Sequence, residues 1–477
     1  MRITRTFGTI RWVVLSLYMA LVGWNLFRRD PTFDELQAWG IARASRTPLD
    51  LIYNTAYEGR FPLWHFMLWL GQRISTDLAA LHVISFVLAV ILGALVLTLP
   101  TVAVPVRLAL LAGAPMLVGL TTLSRDYAVM AILALAATRH IMRRSWTRTA
   151  LLISLLALVN LFGLMTGIAL GLVMVIRATE STEVGRARVR TVLTISALPI
   201  VAGVVSAIRI APPADSSLWR STWSSFRIGD AARTALDGWG AVLSPLDNLG
   251  LSRFGTLTVL ALVVRLAMSA DVAARIGLVV FTIITTTNFI WGYFAGWWHA
   301  QQLWVGLVGL VLTSAVTSRR KVRGGHNAVL LVLAILQFAP HWTSVGDALW
   351  SRLPTSNVAN ASEDAARRCN QRCTIVADTD LPTATLVAAH LDREIVAANR
   401  AAPVRFATYD SEFRIRTTWS DVVASLRAHH PAIAVVGNAQ QALFDDLPPP
   451  SLRVLARFDE PTSSHDAYLV VELVGDE

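Results

Sequence analysis

Apolar positions in this chain come in unbroken runs of helix-spanning length, and the polar stretches between them are dominated by arginine. Runs near 20 residues are what a membrane-crossing helix requires. The first covers 9–27, with Arg2, Arg5 and Arg11 ahead of or near its start. Further runs cover 79–99, 103–122, Tyr127–Met142, 191–210, 255–270, 276–295, 300–317 and 329–345. The stretch 61–74 is apolar but short for a crossing, and it is expected to lie along the outer interface. The run at 149–177 is too long for one ordinary span. Asn160, Gly163 and Gly167 interrupt it, which predicts two short helices meeting near 160–163.

Charge then orients these runs. The linkers at 139–148, 177–190 and 318–323 are strongly basic and fall on one side of the count, as cytoplasmic linkers do. The count is about eleven spans, with the N-terminus inside and the C-terminus outside. It puts the loops 28–78 and 211–254 on the outer face, together with Ser124-Arg125-Asp126-Tyr127. The second loop carries Asp215, Trp219, Trp223, Asp237, Trp239 and Asp247, and loops of that length are usually functional.

Composition agrees. The chain has 477 residues, 54% of them hydrophobic and 16% charged, and a mean hydropathy of +0.52, which excludes an ordinary soluble protein. In a soluble chain the net charge of +10 would suggest nucleic acid. Here the arginines sit between apolar runs, so membrane orientation accounts for them and no nucleic-acid partner is expected. The 16 tryptophans outnumber the 7 tyrosines, and many lie near run ends, where interface anchors belong. The first apolar stretch lacks a small-residue cleavage site and is taken as a retained span.

Beyond Trp350 the pattern changes to short strand-like runs at 374–378, 394–398, 432–437, 452–458 and 467–474, with helical stretches at 383–392 and 419–429. This predicts a small extracytoplasmic α/β domain at 346–477 beside a membrane domain at 1–345. Cys369 and Cys373 precede its first strand. A disulfide suits an oxidising compartment, no paired histidines favour zinc, and the bridge is left open.

Candidate chemistry concentrates outside the spans. Asp34 and Glu35 are adjacent, Glu58 and Arg60 flank Gly59, and His65 follows on an aromatic run. A carboxylate at a membrane surface can serve as a general base, or it can simply stabilise the first turn of a helix. Glu58 can position a substrate or hold Arg60. Arg60 and Arg125 are the outer-face cations suited to a lipid phosphate, because guanidinium binds phosphate in a bidentate way. Asp126 can be a second acid, a partner of an arginine, or a ligand for Mg²⁺ or Mn²⁺. No cofactor is certain, and the lack of an Asp-x-Asp in the first outer loop favours a metal-independent mechanism.

Several of these residues fall in motifs. Asp34-Glu35-Leu36-Gln37-Ala38-Trp39 and Glu58-Gly59-Arg60-Phe61-Pro62-Leu63-Trp64, with Ser124-Arg125-Asp126-Tyr127-Ala128 and Asn160-Leu161-Phe162-Gly163, resemble the GT-C superfamily of membrane glycosyltransferases. The branch is the bacterial one related to protein O-mannosyltransferases and the lipid A aminoarabinose transferase. The segment 293–302, with Trp298-His299-Ala300-Gln301-Gln302, is similar to a further motif. Arg60 stands where the pattern has histidine, and Trp298 where it has arginine.

The resemblance implies a GT-C-type α-helical polytopic membrane protein in the plasma (inner) membrane. Its implied activity is transfer of a sugar from a polyprenyl-phosphate donor to a glycan, lipid or protein acceptor of the cell envelope. Asp34 and Glu35 would be catalytic, with Asp34 the base of an inverting displacement. Glu58, Arg60, His65, Arg125, Asp126, Trp298, His299 and Gln302 would line the donor site. Two other readings stand beside it: a flippase or carrier of a lipid-linked glycan, and a non-catalytic envelope-assembly subunit.

Overall fold

The computed structural model describes residues 2–29, 31–181, 186–211, 231–243, 270–291, 297–314, 320–337, 357–370, 373–378, 383–398, 403–407, 417–437, 448–458 and 467–474, with scattered positions between. Trp219, Trp223, Asp247, most of the expected span at 255–270, the turn at 292–296 and all of 338–356 lie outside the described residues, as do the side chains of Trp297 and Trp298 and of 318–323.

The chain begins with α1 (Arg2–Arg28), followed by three short helices, α2 (Phe33–Ala44), α3 (Pro48–Asn54) and α4 (Leu63–Gln72). A helical bundle follows: α5 (Ala79–Leu97), α6 (Val104–Ala112), α7 (Tyr127–Met142), α8 (Trp146–Ala157), α9 (Leu161–Glu180), α10 (Arg186–Ile210), α11 (Ala231–Leu243), α12 (Val272–Trp291), α13 (Trp297–Ser314) and α14 (Arg320–Leu336). Among the described residues, five helices are long and apolar enough to cross a membrane: Ile10–Arg28, Ala79–Leu97, Leu161–Glu180, Arg188–Ile210 and Val272–Ile290. Several carry outward apolar rows, such as Trp12, Leu17, Leu21 and Trp24 on α1 and Leu193, Ile200, Val204 and Ile208 on α10. Water would penalise such faces and lipid would not, so this is a membrane protein.

Several expectations need correction. The run at 103–122 is not one helix: α6 ends at Ala112, and a π-helical turn, Pro115–Gly119, follows. Pro115 has no N–H to donate, and the wider turn closes through Leu120 N–H to Pro115 C=O at 2.8 Å. The freed Met116 carbonyl accepts from the Tyr18 hydroxyl at 3.0 Å and from Thr121 at 2.8 Å. The run at 149–177 does break at Asn160, but only α8 is short, at 12 residues; α9 has 20. The last helix starts at Arg320, nine residues before the expected 329. The loop 211–254 contains α11, whose Trp239 is buried, with Nε1 donating to Thr286 at 2.9 Å and its ring edge-on to Phe289. That tryptophan is a packed core residue rather than an interface anchor. The short helix α4 turns Trp64, His65 and Leu68 into the core and leaves Phe66 and Leu70 outward.

After α15 (Asn357–Cys369) comes a six-stranded sheet, with β1 (Thr374–Ala377), β2 (Ile395–Ala397), β3 (Pro403–Val404), β4 (Ala432–Gly437), β5 (Leu452–Phe458) and β6 (Tyr468–Leu473) in the order β3-β2-β1-β4-β6-β5. β2, β1 and β4 run parallel; β3, β6 and β5 are antiparallel to their neighbours. The central strands are buried on both faces, as parallel strands covered by helices are. α15 and α16 (Thr385–Leu391) cover one face, and α17 (Trp419–Ala428) covers the other. α15 and β3 were not anticipated: α15 is polar overall, and β3 spans two residues. Cys369 and Cys373 are bridged, with Cα atoms 5.1 Å apart. Leu36 of α2 belongs to the same apolar cluster as the α15–α16 face, so the sheet unit seats directly on α2.

Candidate functional site

Successive residues on an α-helix point about 100° apart, so the adjacent acids of α2 cannot share a direction. Glu35 turns inward and is fully buried. Its carboxylate takes both arms of the Arg29 guanidinium, the Thr32 N–H at 2.6 Å and the Ser124 N–H. Arg29 also donates to the Thr122 carbonyl through Nε at 2.8 Å. One carboxylate thereby ties the end of α1, the first turn of α2 and the 122–124 segment. Burial works to raise the Glu35 carboxyl, but Arg29 and the two backbone N–H groups outweigh it and hold it at about 2.

Asp34 points the other way and is 37% exposed at its side chain. Its Oδ2 lies 2.8 Å from Arg125 Nη1. The 122–124 segment that Glu35 pins leads straight into Arg125, so the brace behind α2 fixes the cation in front of it. Arg125 also stands over the Tyr127 ring, 5.9 Å from its centroid.

A second polar chain runs alongside. Gly59, at φ 63°, takes the left-handed turn that lets Glu58 and Arg60 fold back together. Arg60 donates to Glu58 at 2.9 Å and meets Asp126 Oδ1 at 3.5 Å. Asn160 donates to Asp126 Oδ2 at 2.8 Å and to Gln302 Oε1 at 2.8 Å, while its own oxygen caps α9 by accepting from Gly163 N–H at 2.9 Å. On α13, His299 lies one turn before Gln302 and meets the Tyr127 hydroxyl at 3.4 Å. Phe162, beside the Asn160 break, stands 5.4 Å from the His299 ring.

The structure therefore gathers Asp34, Glu58, Arg60, Arg125, Asp126, His299 and Gln302 into one region. Glu35 stands behind it in its own ion pair. His65 is fully buried on α4. Burial, with the charges of Arg60 and Arg125, pushes its pKa well below the ordinary histidine value, so it is a neutral ring at physiological pH. Burial works against the charge on Arg125, and Asp34 and its neighbours more than offset it, so that guanidinium stays protonated. The side chain of Trp298 lies outside the described residues. Among the described residues, Arg60 Nε, Arg125 Nε, Gln302 Nε2 and both His65 nitrogens have no hydrogen-bond partner in the protein.

Asp126 does not fit as a Mg²⁺ or Mn²⁺ ligand. One of its oxygens is taken by the Asn160 amide and the other faces Arg60. Among the described residues no three His, Cys, Asp or Glu side chains are grouped to hold a cation.

Sequence reading placed Gln37, Tyr127 and Asn160 in its motifs without giving them a role, and it missed Arg29 altogether. Asn160 did leave a signal, a lone amide interrupting an apolar run. Its replacement by leucine should orphan two buried acceptors and uncap α9. At about 1–3 kcal/mol for each orphaned acceptor, Asn160→Leu is expected to lower the unfolding temperature in detergent, and an unshifted melt would contradict the network.

No family model matches the chain, and no curated protein matches it. Among solved structures it is similar to the crystal structure of ArnT from Cupriavidus metallidurans bound to undecaprenyl phosphate. The identity is 14% over 98% of this chain and 98% of that one, with a TM-score of 0.47. At that identity and TM-score the likeness is silent on activity, so any functional reading has to rest on the residues themselves.

Proposed function

We propose that this protein is a GT-C-type membrane glycosyltransferase that moves a sugar from a polyprenyl-phosphate donor to an acceptor hydroxyl at the outer membrane face. The observation that carries the reading is the contrast among the clustered acids. Glu35, Glu58 and Asp126 are 0%, 7% and 1% exposed at their side chains, whereas Asp34 is 37% exposed and sits 2.8 Å from a buried guanidinium. It is the carboxylate with an open side for an incoming hydroxyl. The Asp-Glu-x-x-x-Trp and Glu-Gly motifs support the same assignment.

In this reading Asp34 accepts the proton of the acceptor hydroxyl as the oxygen forms its bond to the anomeric carbon. The bond from that carbon to the phosphate oxygen breaks, and polyprenyl phosphate leaves as an anion. No general acid is needed, because a phosphate leaving group is stable in its charged form. A single displacement inverts the anomeric centre. Protonation of Asp34 also releases its hold on Arg125, freeing that guanidinium for the charge growing on the leaving phosphate. Arg60, already shared by Glu58 and Asp126, orders the pocket more than it binds the anion. Glu35 is a brace, not a catalyst.

The direct test is sugar transfer by the purified protein in nanodiscs, using a polyprenyl-phosphate-sugar pool extracted from native membranes. Transfer with inversion is expected, and no transfer from a pool that demonstrably contains the native donor would sink the reading. Arg125→Ala should weaken binding of polyprenyl phosphate itself by about ten- to a hundredfold, the loss of one charge-assisted contact. Unchanged binding would remove Arg125 from the donor site.

A further inference from the structure

Gln37 lies on α2 one turn beyond Asp34, and all of its amide's hydrogen-bonding capacity is used. Its Nε2 donates to the Ala407 carbonyl at 2.7 Å and to Glu58 Oε1 at 3.3 Å. Its Oε1 accepts from the Ala407 N–H at 2.9 Å and from the Thr385 hydroxyl at 3.4 Å. The paired N–H and C=O of Ala407 fix which way the amide faces, since a flip would set donor against donor and acceptor against acceptor. This one buried side chain therefore reads the backbone of the C-terminal sheet unit with one side and touches a site carboxylate with the other.

The seating around it is close. A Cβ at Gly40, one turn further along α2, would lie 3.0 Å from the Arg405 carbonyl, so a side chain there would require the 405–407 segment to give by a few tenths of an ångström. Arg43, another turn on, pairs with Asp392 at 2.5 Å. Leu36 fills the apolar cluster under α16. α2 thus presents Asp34 to the site and the row Leu36, Gln37, Gly40 and Arg43 to the sheet unit. These are two functions of one 12-residue helix.

From this geometry we propose that Gln37 is a positioning residue, which couples the seating of the C-terminal sheet unit to the Glu58–Arg60 turn and so makes that unit an integral part of the transfer site. The inference rests on the proposed glycosyltransfer for its kinetic consequence but not for its structural one. When Ala407 is docked, Gln37 is held where its second N–H reaches Glu58. Glu58 in turn holds Arg60 against Asp126. When the unit lifts, the amide is free to turn and Glu58 loses its only neutral donor among the described contacts.

The test uses the full chain in nanodiscs with two substitutions, Gln37→Leu and Gln37→Glu, read by hydrogen exchange and by transfer kinetics. The Ala407 N–H donates to Gln37, and the Ala56 and Glu58 N–H groups donate to Tyr53 and Thr55 within the turn. In Gln37→Leu, exchange should rise at Ala407 and at Ala56 and Glu58 together. In Gln37→Glu the Ala407 N–H keeps an acceptor, but the Ala407 carbonyl and Glu58 both lose their donor to a carboxylate oxygen, so exchange should rise at Ala56 and Glu58 and, less than in Gln37→Leu, at Ala407. Unchanged exchange at Ala56 and Glu58 in both variants would overturn the coupling whatever the protein's activity. Where the wild type transfers sugar, kcat should fall on the order of ten- to a hundredfold with KM little changed, the signature of a displaced site. A kcat equal to wild type in folded Gln37→Glu would likewise overturn it. Loss of wild-type transfer bears on the proposed function alone, because the exchange readout still decides this one.

Discussion

Asp34→Asn is expected to lower the transfer rate by about 10²–10⁴, the range a positioned general base contributes, while leaving the protein folded. The substitution is nearly isosteric, and the amide oxygen of asparagine can still accept from Arg125 at the 2.8 Å position that Asp34 Oδ2 occupies. Two properties should vanish: the basicity that takes the acceptor's proton, and the charge whose neutralisation frees Arg125. The folded state should hardly notice, since the side chain is 37% exposed and no backbone group depends on it among the described contacts. The measurement is the initial rate of sugar transfer in membranes at matched expression, with unfolding in detergent as control. A rate equal to wild type would remove Asp34 from the chemistry.

Glu35→Gln, one residue along, is expected to do the opposite. Its carboxylate neutralises a buried Arg29 and accepts two backbone N–H groups. Removing one partner of a buried ion pair strands the other, at a cost of about 3–5 kcal/mol. Loss of folded protein should therefore precede any kinetic defect, and the surviving fraction should turn over at a rate set by how far Arg125 has shifted. The same pair predicts a pH dependence. The folded carboxyl sits at about 2, below its ordinary value of 4.5. A depressed acid contributes stability that is fully present above the ordinary value and is lost as pH falls through the folded one. Unfolding temperature should hold steady down to the mid-fours and then drop toward pH 2. Glu35→Gln should start lower and lose less across that window. Identical pH profiles for the two proteins would show that Glu35 is not the group responsible.

These two results would separate neighbours that sequence reasoning treats alike. Asp34-Glu35 reads as an acidic pair; the family resemblance implies Asp34 as the base, but the pattern holds no physical reason why that member should face substrate. The rotation between successive helical residues separates them, and only Arg29 and the Ser124 N–H, arriving from other segments, decide which direction is the interior. The Arg60 departure from the family pattern has a similar answer. In sequence it is a cation in place of a histidine; in the fold it is shared by Glu58 and Asp126, two acids 68 positions apart.

The sequence by itself determined what depends on near neighbours. Long apolar runs set the spanning helices, Asn160 marked the start of α9, and short strand-like runs drew the central strands beyond residue 370. Each is a local property, settled by solvation and backbone preference within a few turns. Only the tertiary structure decided how the pieces meet. It brought His299 and Gln302 to Tyr127 and Asn160. It buried Trp239 of α11 against α12, and it set the Ala407 backbone, 370 positions away, against Gln37. A hydrogen bond at that separation leaves no periodicity or propensity in either segment. It exists because packing α2 between the helical bundle and the sheet unit leaves the Gln37 amide no other way to satisfy its buried donors and acceptors.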